Sequence, residues 1–492
     1  MNSQIIDDPV TLVLLALLFL LTVIPASLLV ARRVTHLPFR AESFRWIYAI
    51  WVCLLAASSV WNLSRDVRLS VDEAGADNYL RLAFLMLAIL AIGFIGMKYR
   101  YAFISYLATG ALGIFFLFCV WGLSTTLWSV SRSSTLYKSV EYGAMLVLFA
   151  LAVSLILRNT RSYQHRLLAV KSVFDWNWFL TFLLIVSVYV GIVVWPEYAI
   201  LENYRDEVGV IGFSIQGALP GQSANLVGEI GAVMAIVALV RLLYLPKPGI
   251  FPALMYVFVF VVSVVTMILT QSRSPMLAFV VAFVVVLVVS RRFGWLALSV
   301  ALVSTTLLLT NYAQVAYEFL RRGQNEKDIA SLTGRVTYWD ASFDALRESV
   351  LGGYGANAGG RYVLRAVLGD DQVSTVHSVW VEVLLDTGVI GIILFAAAFV
   401  ATWFWLLRLR SRAITAPIGR LLWFESLGVL TVMSVRSVFE VAMVWSSRVL
   451  TLGVVLIFLE VLRRHVVRRT YAGAPVTQPL PAARRRRPSV RS

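Results

Sequence analysis

The stretch VHSVWVEVLLDTGVIGIILFAAAFVATWFWLLRLRSR, residues 376–412, contains an apolar run long enough to cross a bilayer as a helix. It opens on His377, closes on Arg408, Arg410 and Arg412, and carries Glu382, Asp386, Gly388 and Gly391 in its first half. Lipid tolerates such acids only when they are paired, and an inert anchor has no use for them. The run therefore predicts a membrane fold with a polar site at its histidine end.

Outward from this stretch the pattern recurs. The chain has 492 residues, 59% hydrophobic and only 14% charged, with mean hydropathy +0.80. These values place it among polytopic membrane proteins. Lone strands leave backbone groups unsatisfied in lipid, so the expected class is all-α. Candidate spans lie near residues 10–31, 44–62, 79–97, 101–124, 136–157, 177–195, 224–244, 250–270, 275–290 and 293–310. Residues 378–407 follow, and 421–462 is too long for one crossing, which brings the total to about 12 or 13. The leader MNSQIIDDP lacks the basic region and cleavage site of a signal peptide, so the first run is expected to be a permanent span.

Loop charge sets the orientation. The net charge of +16 sits in short loops such as RRVTHLPFR (32–40), LRNTRSYQHR (157–166) and RLRSR (408–412), and in the tail RRHVVRR (463–469) and RRRR (484–487). These are every second connection, which places them in the cytoplasm and removes the need for a nucleic-acid partner. The largest outward loop, 311–376, is expected to carry amphipathic helices around 314–322 and 335–349, followed by YGANAGGR (354–361). The expected organisation is a membrane bundle over 1–310, this loop over 311–376, C-terminal membrane helices over 377–465 and a disordered basic cytoplasmic tail over 466–492. The two cysteines, Cys53 and Cys119, fall inside apolar runs and read as buried apolar residues.

The chemistry gathers on the outer side. His377 is the one histidine of four expected there. On a regular helix Gly388 and Gly391 share its face, leaving a groove that another helix or a lipid tail would fit. Arg273 in QSRS (271–274) and Arg335, just after Gly334 in SLTGRVTYWD (331–340), stand at helix starts. Free N–H groups and a guanidinium fork suit an anion there. Asn225 and Glu229 in GQSANLVGE (221–229) share a helical face behind an N-cap at Ser223. Glu382 and Asp386 are expected to pair with Arg436, Arg448 or a polar loop. Asp370 and Asp371 are adjacent rather than in a D-x-D arrangement, so neither a metal nor another cofactor is expected.

His377-Ser378, nine residues, then Gly388-Val389-Ile390-Gly391 resembles the bacterial O-antigen ligases, members of the O-antigen ligase and polymerase superfamily of membrane glycosyltransferases. The large outer loop two helices from the end, its Gly-Arg, the outer Ser-Arg-Ser and the asparagine at the return to the membrane extend the resemblance over roughly 125–460. It implies a GT-C-like bundle in the bacterial inner membrane with its active site facing the periplasm. It implies transfer of a glycan from an undecaprenyl-diphosphate carrier to the lipid A-core of lipopolysaccharide, inverting and metal-independent. By the same resemblance Arg273 and Arg335, with Ser272, Gly334 and Asn225, hold the donor's pyrophosphate. His377 is the general base at the acceptor, and Gly388 and Gly391 line a lipid groove. An O-antigen polymerase or a protein O-oligosaccharyltransferase shares this layout. A polysaccharide transporter or flippase is the alternative from another class, though it predicts charges near the midplane rather than at the outer boundary.

Overall fold

The computed structural model describes residues 41–61, 76–202, 212–244, 249–309, 314, 335–369, 375–441 and 443–472. The expected span at 10–31, most of the stretch at 314–322, Gly334, Asp370, Asp371 and the tail beyond residue 472 lie outside the described residues.

Among the described residues, eight helices are long and apolar enough to cross a membrane, and three shorter apolar helices accompany them. In chain order the principal helices are α1 (Ala41–Ala57), α2 (Ala76–Lys98), α3 (Gly110–Ser124), α4 (Arg132–Asn159), α5 (Tyr163–Val194), α6 (Ala224–Tyr244), α7 (Ile250–Leu269), α8 (Arg273–Val289) and α9 (Phe293–Leu309). After them come α10 (Arg335–Leu346), α11 (Leu364–Leu368), α12 (Val379–Arg408), α13 (Pro417–Phe439) and α14 (Val449–Ala472). The protein is an all-α polytopic membrane protein, as its composition demands. Between α5 and α6 lies one small departure, an antiparallel pair of strands, Ile200–Glu202 with Phe213–Ile215. The long apolar segment 421–462 is divided between α13 and α14, with the break where Glu440, Ser446, Ser447 and Arg448 interrupt the apolar run.

Burial sorts the helices. The apolar windows of α4, α6 and α13 are 83%, 78% and 78% buried, whereas that of α7 is 22% buried. Phe251, Leu254 and Phe258 of α7 therefore point outward, which in a bilayer is the lipid-facing side. Close approach of α6 and α7 depends on Gly231, where a Cβ would stand 2.8 Å from the Ser263 carbonyl oxygen. Helices α6 and α13 run antiparallel and are joined by reciprocal ion pairs. Glu229 of α6 meets Arg436 of α13 at 3.0 Å. About 18 Å further along, at 1.5 Å per residue, Arg241 of α6 meets Glu425 of α13 at 2.8 Å.

Candidate active site

The start of α12 is not a regular helix. His377 has φ +57° and precedes the N-cap Ser378, and Gly388 interrupts the helix with φ +67°. The single face expected to hold His377, Gly388 and Gly391 therefore does not exist. A broken helix in a membrane must satisfy the backbone groups it frees. Four of these groups are met from outside. The carbonyls of Leu385 and Asp386 accept from Tyr354 N at 3.0 Å and Gly355 N at 2.8 Å. The Thr387 carbonyl accepts from Trp121 Nε1 at 2.9 Å, and Val389 N donates to the Val350 carbonyl at 2.9 Å. The glycine-rich loop is thus sewn into the kink. A Cβ on Gly388 would overlap the Leu351 carbonyl, and one on Gly391 would overlap Thr387, so neither glycine floors an open groove.

The two membrane acids belong to the same construction. Asp386 accepts from Asn357 N and Gly359 N, both at 2.8 Å. Glu382 accepts from Val376 N at 2.9 Å and Thr375 Oγ1 at 3.3 Å. Of the partners expected for them, the polar loop is the one used. Arg436 and Arg448 are engaged with Glu229 and Glu440 instead.

Six elements bring charged side chains to one end of the bundle. Helix α6 supplies Asn225 and Glu229, α8 supplies Arg273 and Ser274 behind Ser272, and α10 opens on Arg335. His377 precedes α12, α13 ends with Arg436, Phe439 and Glu440, and Arg448 precedes α14. Arg436 is fully buried; its Nε lies 3.0 Å from Glu229 Oε2, its Nη2 3.8 Å from Glu440 Oε2, and its Nη1 donates to Ser274 Oγ. Arg448 Nη1 lies 3.3 Å from the same Glu229 oxygen and donates to the Val441 carbonyl at 2.8 Å. Ser272 Oγ donates to Asn225 Oδ1 at 2.5 Å. The guanidinium of Arg335 sits 5.9 Å above the Phe439 ring, within electrostatic reach of Arg273, Arg436 and Glu440.

His377 turns Nδ1 to Glu440 Oε1 at 3.7 Å, longer than a hydrogen bond, and stacks on Tyr338 with ring centroids 6.2 Å apart. Its side chain keeps 31% of its surface accessible. Below it, Trp339 Nε1 donates to the Val376 carbonyl at 3.1 Å and Trp380 Nε1 to Ser437 Oγ at 3.2 Å. Burial by itself would raise the Glu440 carboxyl, but His377, Arg436 and Arg448 more than offset it and hold that carboxyl well below the ordinary carboxylate range. Burial draws the Arg335 guanidinium below its ordinary value, with Arg436 and Arg273 adding to the effect and Glu440 opposing it. Among the described residues, four arginines and a histidine meet two carboxylates here. Among these described side chains positive charge is in excess, an arrangement suited to an anion.

Of the residues singled out in the sequence, His377, Arg335, Arg273, Ser272 and Asn225 come to this cluster. Gly388 and Gly391 belong to the kink beside it, and Gly334 lies outside the described residues. Glu440 and Tyr338 were not anticipated. The interruption SVRSVFE (434–440) inside an apolar run was the available signal for Glu440. Nothing in the sequence marks Tyr338.

Residues 258–396 match the family model described as O-antigen ligase. No curated protein gives a match to the chain. The matched stretch is less than half of the chain; it contains Arg273, Arg335 and His377, while Asn225, Arg436, Glu440 and Arg448 lie outside it. The match supports an enzyme of the ligase or polymerase type, glycosyltransferase-like and multi-pass in a membrane. Over residues 258–396 the chain is thus similar to the O-antigen ligase family.

Proposed function

We propose that the protein transfers a glycan from an undecaprenyl-diphosphate carrier to the lipid A-core of lipopolysaccharide, at the periplasmic face of the bacterial inner membrane. The observation that carries this reading is the cationic cluster around His377, which among the described residues has two carboxylates for four arginines. Arg273 and Arg335, with Ser272 and Asn225 beside them, bind the donor's pyrophosphate. The acceptor hydroxyl oxygen attacks the anomeric carbon from the face opposite the diphosphate. The carbon–oxygen bond to the diphosphate breaks, the configuration inverts, and undecaprenyl diphosphate leaves with the electron pair. Arginine charge stabilises that leaving group in a site with little water. The hydroxyl proton passes to His377 Nε2, since Nδ1 is turned to Glu440, and the nearby carboxylate stabilises the imidazolium that forms.

The test is a transfer assay with the purified full chain, lipid-linked glycan and rough lipopolysaccharide, in the presence of EDTA. Wild type is expected to transfer, and His377→Ala to lose about 10²–10⁴-fold in kcat, the usual contribution of a general base. Longer lipid-linked chains in place of modified lipopolysaccharide would identify a polymerase. A folded His377→Ala protein that transfers at the wild-type rate would remove the histidine from the mechanism.

A further inference from the structure

A cavity of about 190 Å³ lies beside this cluster, and the transfer mechanism leaves it unused. Arg81, Lys138, Arg361 and Arg448 line it together with Asn357 and Ser446; among the described residues no carboxylate does. Two of these cations, Arg361 and Arg448, are poorly matched by their own partners. Lys138 is paired with Glu141 at 2.7 Å. Arg81 has among its contacts the Ala57 carbonyl, to which its Nε donates at 3.0 Å. Arg448 shares the Glu229 carboxylate with Arg436, and its Nε and the Ser446 hydroxyl are buried without a hydrogen-bond partner. Arg361 forms no hydrogen bond or ion pair with any described residue, although Glu382 lies within electrostatic reach. Burial, with Arg81 adding to it, draws its guanidinium below the ordinary value despite the opposing pull of Tyr362 and Glu382. Poorly matched, half-buried cations are costly to hold, and a ligand that supplies counter-charge offsets that cost.

We infer that this cavity is a second anion subsite, taking one sugar residue that bears a phosphate or carboxylate. It is smaller than the pockets of drug-sized ligands, about 300–1,000 Å³, so it suits a single acidic sugar better than a lipid chain. Amide and hydroxyl groups among the cations fit the hydroxyls of such a sugar. Arg448 on its wall and Arg436 in the cluster grip the same oxygen of Glu229, so one ion pair separates the two sites. On the transferase reading, on which this assignment rests, the donor's pyrophosphate occupies Arg273 and Arg335. The cavity then seats the acidic core sugar of the acceptor.

Two readouts keep the subsite and the transferase reading apart. In calorimetry on the full chain in nanodiscs, glucose 1-phosphate is expected to bind and glucose to bind far more weakly. Arg361→Gln weakens the phosphate ester about tenfold, the loss of one charged hydrogen-bond donor. Arg361→Lys, which keeps the charge and guards against a folding defect, changes it by less than about threefold, and the Arg361→Gln loss persists in an Arg335→Gln background. No loss in Arg361→Gln, disappearance of that loss in the Arg335→Gln background, or equal binding of glucose overturns the subsite. Inorganic phosphate binding more tightly than the ester overturns the saccharide and points to a free anion or lipid headgroup. In the transfer assay, Arg361→Gln raises the acceptor KM about tenfold and leaves the donor KM within about twofold; a raised donor KM overturns the acceptor assignment. Should the wild type transfer nothing, the transferase reading fails while calorimetry still decides the subsite.

Discussion

The same two helices, α6 and α13, carry a charged cluster at each end, and the clusters differ in balance. At one end Lys171, Asp175, Arg241 and Glu425 form two cations for two acids, with contacts of 2.6 Å, 2.7 Å and 2.8 Å and Trp178 Nε1 donating to Glu425 at 2.9 Å. Every charge there is met by protein. At the other end Glu229 and Glu440 face Arg273, Arg335, Arg436, Arg448 and His377, and His377 approaches its acid only to 3.7 Å. A balanced buried cluster holds helices in register; an unbalanced one is completed by a ligand. On the transferase proposal, the difference separates scaffold from site.

Substitutions at the two ends should fail in different ways. Arg241→Ala strands Glu425 and leaves Asp175 to Lys171 alone, and a thermal or denaturant melt is expected to show a loss of about 3–5 kcal/mol; an unchanged melt would break the comparison. Arg335→Ala and Arg273→Ala are expected to lower transfer about 10²–10³-fold, as the removal of a preorganised donor does, with the melting temperature within a few degrees of wild type. Gly388→Ala forces a side chain into φ +67° against the Leu351 carbonyl, and is expected to cost about 1–3 kcal/mol and to loosen the 350–360 loop in hydrogen exchange. Arg335→Lys keeps the charge but loses the planar fork, and about tenfold slower transfer is expected, or roughly 1.5 kcal/mol.

The subtlest test concerns pH. The Glu440 carboxyl is depressed in the folded chain, so its contribution to stability is present above the unfolded carboxylate value of about 4.3 and is lost as pH falls through the folded value. Wild type is thus expected to be more stable than Glu440→Gln near neutrality, and the gap to close under acid. A gap that widens with acid would contradict the assignment.

Much of this architecture was legible in residue order alone. Apolar runs predicted most of the described helices to within a few residues, because lipid leaves the backbone no other way to pair its groups. Helix α3, however, starts at Gly110 rather than near 101, and α5 at Tyr163 rather than near 177. His377, Arg335, Arg273, Ser272 and Asn225 stood out because charged and polar groups at span ends are rare enough to notice. Their convergence was not legible, since helices α6, α8, α10, α12 and α13 meet only after packing. One local reading changed for a physical reason, and another narrowed to one of its alternatives. The helix after His377 is broken at Gly388, because a loop 30 residues earlier supplies the hydrogen bonds that a regular helix would make for itself. Glu382 and Asp386 take backbone amides of that loop, which leaves Arg436 and Arg448 to Glu229 and Glu440. By itself the sequence determined that this chain lives in a membrane and which side chains are too polar to be idle there, since both follow from transfer free energies of single residues. Which cation meets which acid, and where positive charge is left over, was decided by tertiary structure, because pairing depends on distances between helices that no spacing along the chain encodes.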